Sequence, residues 1–168
     1  MVKEIENNIM ELYIGIGSNL DNPIMQVNNA IKSLKKLDSY NSMKISKLYE
    51  SSPMGPSDQD DYINAVVMFK SGGSPEDILL LLKDIESSMG RERKLVRWSE
   101  RIIDLDIILF GDLVYQSDNL LIPHPNAHER AFVLLPLIDI NPDIYLPKKG
   151  YAKDLIKNCL YKNIKRTI

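Results

Sequence analysis

The sequence predicts an α+β fold with elements in the order β-α-β-β-α-β, and three observations carry that prediction. Short runs rich in β-branched residues read as strands, two amphipathic segments each open on a cap followed by proline, and glycines punctuate the joins. Leu12–Gly17 is the first strand and closes in the turn Gly17-Ser18-Asn19. Pro23–Lys36 is the first helix: Asn22 caps it, Pro23 suits its first turn, and Ile24, Val27, Ile31 and Leu34 line one face. Met43–Ser51 alternates loosely as a second strand. Tyr62–Lys70 is a third, with Ile63, Ala65, Val67 and Phe69 on one face. After the Gly72-Gly73 turn, Ser74-Pro75-Glu76-Asp77 starts a second helix that runs to Met89 and stops at Gly90. Ile102–Phe110 is the fourth strand, and Gly111-Asp112 turns the chain toward a short fifth around Leu113–Tyr115. This order matches the ferredoxin-like split βαβ plait, an antiparallel sheet with both helices on one face, here with C-terminal additions. A plait alone selects no function.

Composition narrows the field. The chain has 168 residues, enough for one domain with a proper core, and residues 12–168 are read as that domain behind a frayed extension, Met1–Glu11. That extension carries no long apolar run, so it is neither a signal peptide nor a membrane anchor. A net charge of −2 argues against bulk binding to nucleic acid or an anionic membrane. Cys159 is alone, so no internal disulfide is possible and a cytoplasmic location is expected. Two stretches of eleven residues, Ser51–Asp61 and Arg91–Arg101, are longer than ordinary connections and read as lids or binding loops.

The stretch Arg97–Phe110 is the most informative. Asp104 and Asp106 lie two apart in an apolar strand, so both carboxylates emerge on one face, roughly 7 Å apart. Two like charges in apolar surroundings repel and lose hydration unless a cation lies between them. An all-oxygen pair suits Mg²⁺ better than zinc. Just upstream, Arg91, Arg93, Lys94, Arg97 and Arg101 form a cationic segment fit for phosphates. Together they point to a nucleoside triphosphate bound with Mg²⁺. The isolated pair, taken without its surroundings, would be ordinary surface charge.

Several familiar phosphate motifs are absent. No GxxxxGK[ST] occurs, and Gly15-Ile16-Gly17-Ser18-Asn19-Leu20 places Leu20 where a dinucleotide fingerprint needs glycine. His124 and His128 are split by Pro125 and lack a third ligand, which argues against zinc; His124 fits a phosphate donor better. Trp98 sits in a polar loop, where it would close over a ligand.

An ordered set of motifs then resembles the 6-hydroxymethyl-7,8-dihydropterin pyrophosphokinase family over about Leu12–Tyr145. The set comprises Ile14-Gly15-Ile16-Gly17-Ser18-Asn19-Leu20, Tyr49-Glu50-Ser51-Ser52-Pro53-Met54-Gly55-Pro56 and Asp61-Tyr62-Ile63-Asn64-Ala65. It continues with Gly90-Arg91-Glu92-Arg93, the Arg97–Phe110 stretch, and Ile122-Pro123-His124-Pro125 with Arg130-Ala131-Phe132. The resemblance implies transfer of diphosphate from ATP to the pterin hydroxymethyl group in folate biosynthesis, with AMP leaving. It implies two Mg²⁺ ions on Asp104 and Asp106, with Arg91 and Arg101 as catalytic arginines covering the phosphates. Glu86, Arg93, Ile107, His124 and Arg130 would complete the ATP contacts. Ser51, Ser52, Met54, Tyr62, Asn64, Trp98 and Phe132 would form the pterin pocket, Tyr62 and Phe132 sandwiching the ring. The implied partners are these small molecules, with no nucleic acid or membrane, and a monomeric or homodimeric state. Departures are Ser99 in place of glycine or alanine, Lys83, Asn119 and Pro125. The competing readings are a two-metal nucleotidyltransferase, which fits a net acidic chain poorly, and an RNA-recognition or regulatory domain, which leaves the aspartates and arginines unexplained.

Overall fold

The computed structural model describes residues 8–54, 58–90, 101–159 and 163–167. In chain order the elements are β1 (Met10–Ser18), α1 (Pro23–Lys35), β2 (Lys44–Ile45), β3 (Tyr49–Ser51), β4 (Tyr62–Ser71), α2 (Pro75–Ser88) and β5 (Asp104–Phe110). They continue as β6 (Tyr115–Gln116), β7 (Leu121–Ile122), α3 (Ala131–Ile140), β8 (Tyr145–Leu146), β9 (Gly150–Tyr151), α4 (Ala152–Leu155) and β10 (Ile164–Arg166). The main sheet runs β10-β3-β4-β1-β5, with β2 also on β4, and its neighbouring strands are antiparallel. The chain is a mixed α and β fold built on that antiparallel sheet.

Both long helices start as their sequences require. The Asn22 side chain accepts the Met25 N–H at 3.3 Å, and Pro23 occupies the first turn of α1. Ser74 accepts the Asp77 N–H at 3.1 Å, while Glu76 and Asp77 meet the positive end of α2. Gly90, at φ +86°, follows the end of that helix in the left-handed region that glycine adopts freely.

Alternation along the strands divides the core in two. Leu12, Ile14 and Ile16 of β1, Val67 and Phe69 of β4, and Ile107 and Phe110 of β5 pack against Val27, Ala30 and Leu34 of α1 and Ile78 and Leu82 of α2. On the opposite face Tyr13, Val66, Met68 and Ile108 meet Val133, Leu134 and Leu137 of α3. The sheet is therefore covered on both faces, with α1 and α2 together on one and α3 on the other.

Several expected boundaries change. Met10 and Glu11, expected in the extension, belong to β1 and pair with Ser71 and Lys70. The single strand expected over Met43–Ser51 is broken into β2 and β3, because Ile45 faces Val67 while Tyr49 faces Asn64, one residue too many for an unbroken ladder. The physical reason lies at the break: the Ser46 hydroxyl accepts the Val66 N–H at 2.9 Å, and the Lys47 N–H leaves the sheet for Asp139 at 3.2 Å. The fifth strand lies at Tyr115–Gln116 and pairs with Leu121–Ile122 in a separate hairpin, so it adds nothing to the main sheet. A bulge also interrupts β5: Tyr13 pairs with Leu109 and Ile14 with Ile107, leaving Ile108 as the extra residue. Its carbonyl accepts the His124 N–H at 2.9 Å.

Candidate active site

Where β1 ends and β5 begins, beside the first turn of α3, lies a cavity of about 770 Å³. Asp104, Leu105, Asp106 and Ile108 line it from β5, although the Leu105 side chain also packs in the core, while Ile107 turns wholly into the core. Glu86, Ser87 and Lys83 line it from α2, and Arg101, Asn119, His124 and Arg130 from connecting segments. Ser51, Ser52, Met54, Tyr62, Asn64 and Phe132 form its other half.

Charge is concentrated at the β5 wall. Arg101 Nη1 pairs with Asp104 Oδ2 at 2.9 Å. Burial, and then the neighbouring carboxylates of Asp104 and Glu86, push the Asp106 carboxyl up to about 7, against the opposing pull of Arg130 and Arg101. Glu86 is itself buried, and its Oε1 accepts the Leu105 N–H at 2.7 Å, which holds α2 to the strand between the two aspartates. Burial holds the Arg130 guanidinium below its ordinary value, and among the described residues its buried Nε makes no hydrogen bond. Its guanidinium carbon lies 5.8 Å from the centre of the Phe132 ring. Burial, and then Arg130, push the His124 imidazole down to about 4. His124 Nδ1 accepts the Asn126 N–H at 3.2 Å, so at neutral pH the ring is neutral with its proton on Nε2.

These groups fit a divalent cation and a polyanion. Two carboxylates that repel each other in a buried wall are relieved by a cation, and a buried guanidinium donor without a partner is relieved by an anion. Among the described residues no group of three or more His, Cys, Asp and Glu converges as a metal site. An ion held by the aspartate pair would complete its shell with water and ligand oxygens, as Mg²⁺ commonly does.

The other half is built for a flat polar ring. The Asn64 amide N–H₂ donates to Ser51 Oγ at 2.8 Å, to the Tyr49 carbonyl at 3.3 Å and to the Tyr62 carbonyl at 3.4 Å. Both carbonyls only accept, so they fix the NH₂ on that side and turn Oδ1 the other way. A Cβ on Gly17, which also lines the cavity, would lie 3.5 Å from that Oδ1, in ordinary van der Waals contact.

The family model described as "7,8-dihydro-6-hydroxymethylpterin-pyrophosphokinase (HPPK)" matches residues 13–142. The chain belongs to the HPPK family. It is 42% identical over 145 residues to a Haemophilus influenzae protein named 2-amino-4-hydroxy-6-hydroxymethyldihydropteridine pyrophosphokinase, covering 86% of this chain and 90% of the relative. A Pseudomonas aeruginosa protein of the same name is 38% identical over 158 residues, covering 94% and 97%. Among solved structures, wild-type Plasmodium falciparum HPPK-DHPS with pteroate superposes with a TM-score of 0.73 at 15% identity, which shows the shared fold. That likeness covers 99% of this chain and 49% of the solved one, so the chain spans about half its length.

Within this HPPK-family chain, the cavity brings together Ser51, Ser52, Met54, Tyr62, Asn64, Glu86, Arg101, Asp104, Asp106, His124, Arg130 and Phe132. Ile107 does not line it: strand alternation buries that side chain in the core. Arg91, Arg93 and Trp98 lie outside the described residues, as do Arg97 and Ser99. Asn19 is the residue that sequence reasoning missed. Fully buried at the end of β1, it exchanges two hydrogen bonds with Arg101, N–H to carbonyl at 3.1 Å and Arg101 N–H to Oδ1 at 2.9 Å. Its Nδ2 donates to the Asp60 carbonyl at 3.2 Å. The available signal was its place in Gly17-Ser18-Asn19, a polar residue between a strand and a helix with no helix-capping role.

Proposed function

We propose that this chain transfers diphosphate from ATP to the hydroxymethyl oxygen of 6-hydroxymethyl-7,8-dihydropterin, releasing AMP. The observation that carries the reading is one cavity joining a carboxylate pair with arginines to a slot bordered by Tyr62, Asn64 and Phe132. The hydroxyl oxygen attacks the β-phosphorus, the bond from that phosphorus to the α,β-bridging oxygen breaks with its electron pair passing to AMP, and the hydroxyl proton leaves to solvent. Asp104 and Asp106 would hold two Mg²⁺ ions, which when bound supply neutralisation of the triphosphate charge. Arg101 orients a phosphate oxygen while its backbone is held by Asn19, and Arg130 offers its unpaired Nε. His124 donates from Nε2 without adding a charge that would have to be desolvated. Arg91 and Arg93 would add phosphate contacts and Trp98 would close on the pterin. Asn64, with its NH₂ anchored, presents Oδ1 to a ring N–H. Alignment, rather than a dedicated base, makes the hydroxyl reactive.

The strand order β3-β4-β1-β5 with antiparallel neighbours, and α1 and α2 on one face, supports the ferredoxin-like plait as the scaffold. The test is direct: incubate the protein with ATP, Mg²⁺ and the hydroxymethyldihydropterin and resolve the nucleotides. AMP that depends on pterin, without ADP, is expected. Absence of AMP from the folded protein with both substrates and Mg²⁺ sinks the reading.

A further inference from the structure

Tyr49 and Asp139 are not accounted for by the chemistry above, yet they join the two walls of the ring slot. Asp139 lies near the end of α3, seven residues after Phe132 and so on nearly the same side of the helix. Its Oδ2 accepts the Tyr49 hydroxyl at 2.8 Å and the Lys47 N–H at 3.2 Å. The second bond exists because the chain leaves the ladder between β2 and β3, which frees that N–H from the sheet. Tyr49 is buried and lies directly opposite Asn64 in the β3–β4 register, and its own carbonyl is one of the acceptors that fix the Asn64 amide. One short path therefore runs from α3 through Asp139 and Tyr49 to Asn64.

We propose that the Tyr49–Asp139 pair is a positioning device for the pterin, setting the gap between Phe132 on α3 and Tyr62 and Asn64 on β4. It rests on the function proposed above. The carboxylate of Asp139 belongs to an exposed residue, so its bonds add modestly to overall stability. Their effect is geometric: they fix the far end of the helix that carries Phe132 to the strand that carries the acceptors of Asn64. The carboxylate wall, made by α2 and β5, shares no residue with this path, and the one nucleotide-side group on α3 is Arg130, which caps its start. Loosening the tie therefore widens the pterin slot first and reaches the nucleotide side only through Arg130.

The experiment compares Tyr49→Phe, Asp139→Ala, Asp139→Asn and the double variant Tyr49→Phe with Asp139→Ala by steady-state AMP formation. Tyr49→Phe keeps the ring that fills the core, so it carries the test if the alanine variant does not fold. Tyr49→Phe is expected to raise KM for the dihydropterin about fivefold, the effect of one net hydrogen bond, and Asp139→Ala, which also loses the Lys47 N–H bond, at least as much, each with a clearly smaller change in KM for ATP. Asp139→Asn retains an oxygen acceptor and is expected to restore the wild-type KM. The double variant should be no worse than Asp139→Ala alone, because that change already removes the bond that Tyr49→Phe removes. Parallel rises in both KM values, no movement in either, or an asparagine variant as impaired as alanine would each overturn the tie. Wild-type protein that makes no AMP instead refutes the underlying function, which separates the two failures.

Discussion

Asp106 and His124 line one cavity and carry opposite pH signatures. Asp106 ionises in the unfolded chain near 3.8 but holds its proton to about 7 when folded, so its contribution to stability is lost as pH rises through that window. His124 is the reverse: the unfolded ring charges below 6.5 and the folded one resists to about 4, so its contribution is lost as pH falls between those values. The two oppose each other, and metal-free wild-type protein should show a shallow profile. Asp106→Asn removes one side of that balance. In the presence of chelator its Tm at pH 8 is expected above wild type, with a steeper decline on acidification; scanning calorimetry from pH 4 to 8 reads both. The same variant should lose AMP formation by several orders of magnitude, on the scale of lost metal stabilisation. A wild-type rate in Asp106→Asn would remove the carboxylate pair from the chemistry.

At the scale of elements, the long periodic segments were legible and the short ones were not. α1 and α2 announce themselves by Asn22, Pro23, Ser74 and Pro75, whose capping is local chemistry and needs no tertiary context. The break between β2 and β3 depends on where the Ser46 hydroxyl and the Lys47 N–H find partners, Val66 and Asp139, far along the chain. No local pattern encodes that. The aspartate pair was readable because a charge every second residue in an apolar strand is conspicuous. Ile107 enters by resemblance alone, and because its side chain faces the core, strand alternation by itself gives no reason to single it out. Asn19 went unread because its partners, Arg101 and Asp60, end two different connections. Asn19→Ala leaves the Arg101 N–H and the Asp60 carbonyl without these bonds, at about 1–3 kcal/mol for a buried polar group. Urea unfolding should show that loss. AMP assays should show a drop in kcat exceeding any rise in pterin KM, because the tie sets the backbone of Arg101 rather than the ring slot. A variant with unchanged kcat would reduce Asn19 to packing.

As a whole molecule, the chain keeps the packing around α1 apart from its chemistry: the cavity opens on the α3 face and is reached from the first layer only by the end of α2, through Lys83, Glu86 and Ser87. The layer under α1 and α2 is continuous apolar packing, whereas the other face is shared between α3 and the cavity. Leu34, fully buried in the first layer, illustrates the division. Leu34→Ala is expected to lower unfolding free energy by about 2–5 kcal/mol. Chemical denaturation measures that loss, and AMP formation well below the midpoint should stay close to wild type. An equal loss of activity in the folded variant would show that the two faces are mechanically linked.

The bulge in β5 has a bearing on how such a chain tolerates change. Ile108 is the surplus residue of its strand, and its side chain lies over Gly15, where an added Cβ would come within 3.0 Å of Ile108 Cδ1. An insertion in one strand is thus matched by a missing side chain in its neighbour. A methyl group at 15 requires the Ile108 side chain to give by a few tenths of an ångström, or a smaller residue at 108. A library that randomises 15 and 108 together is therefore expected to recover side chains at 15 that a library holding Ile108 fixed would discard.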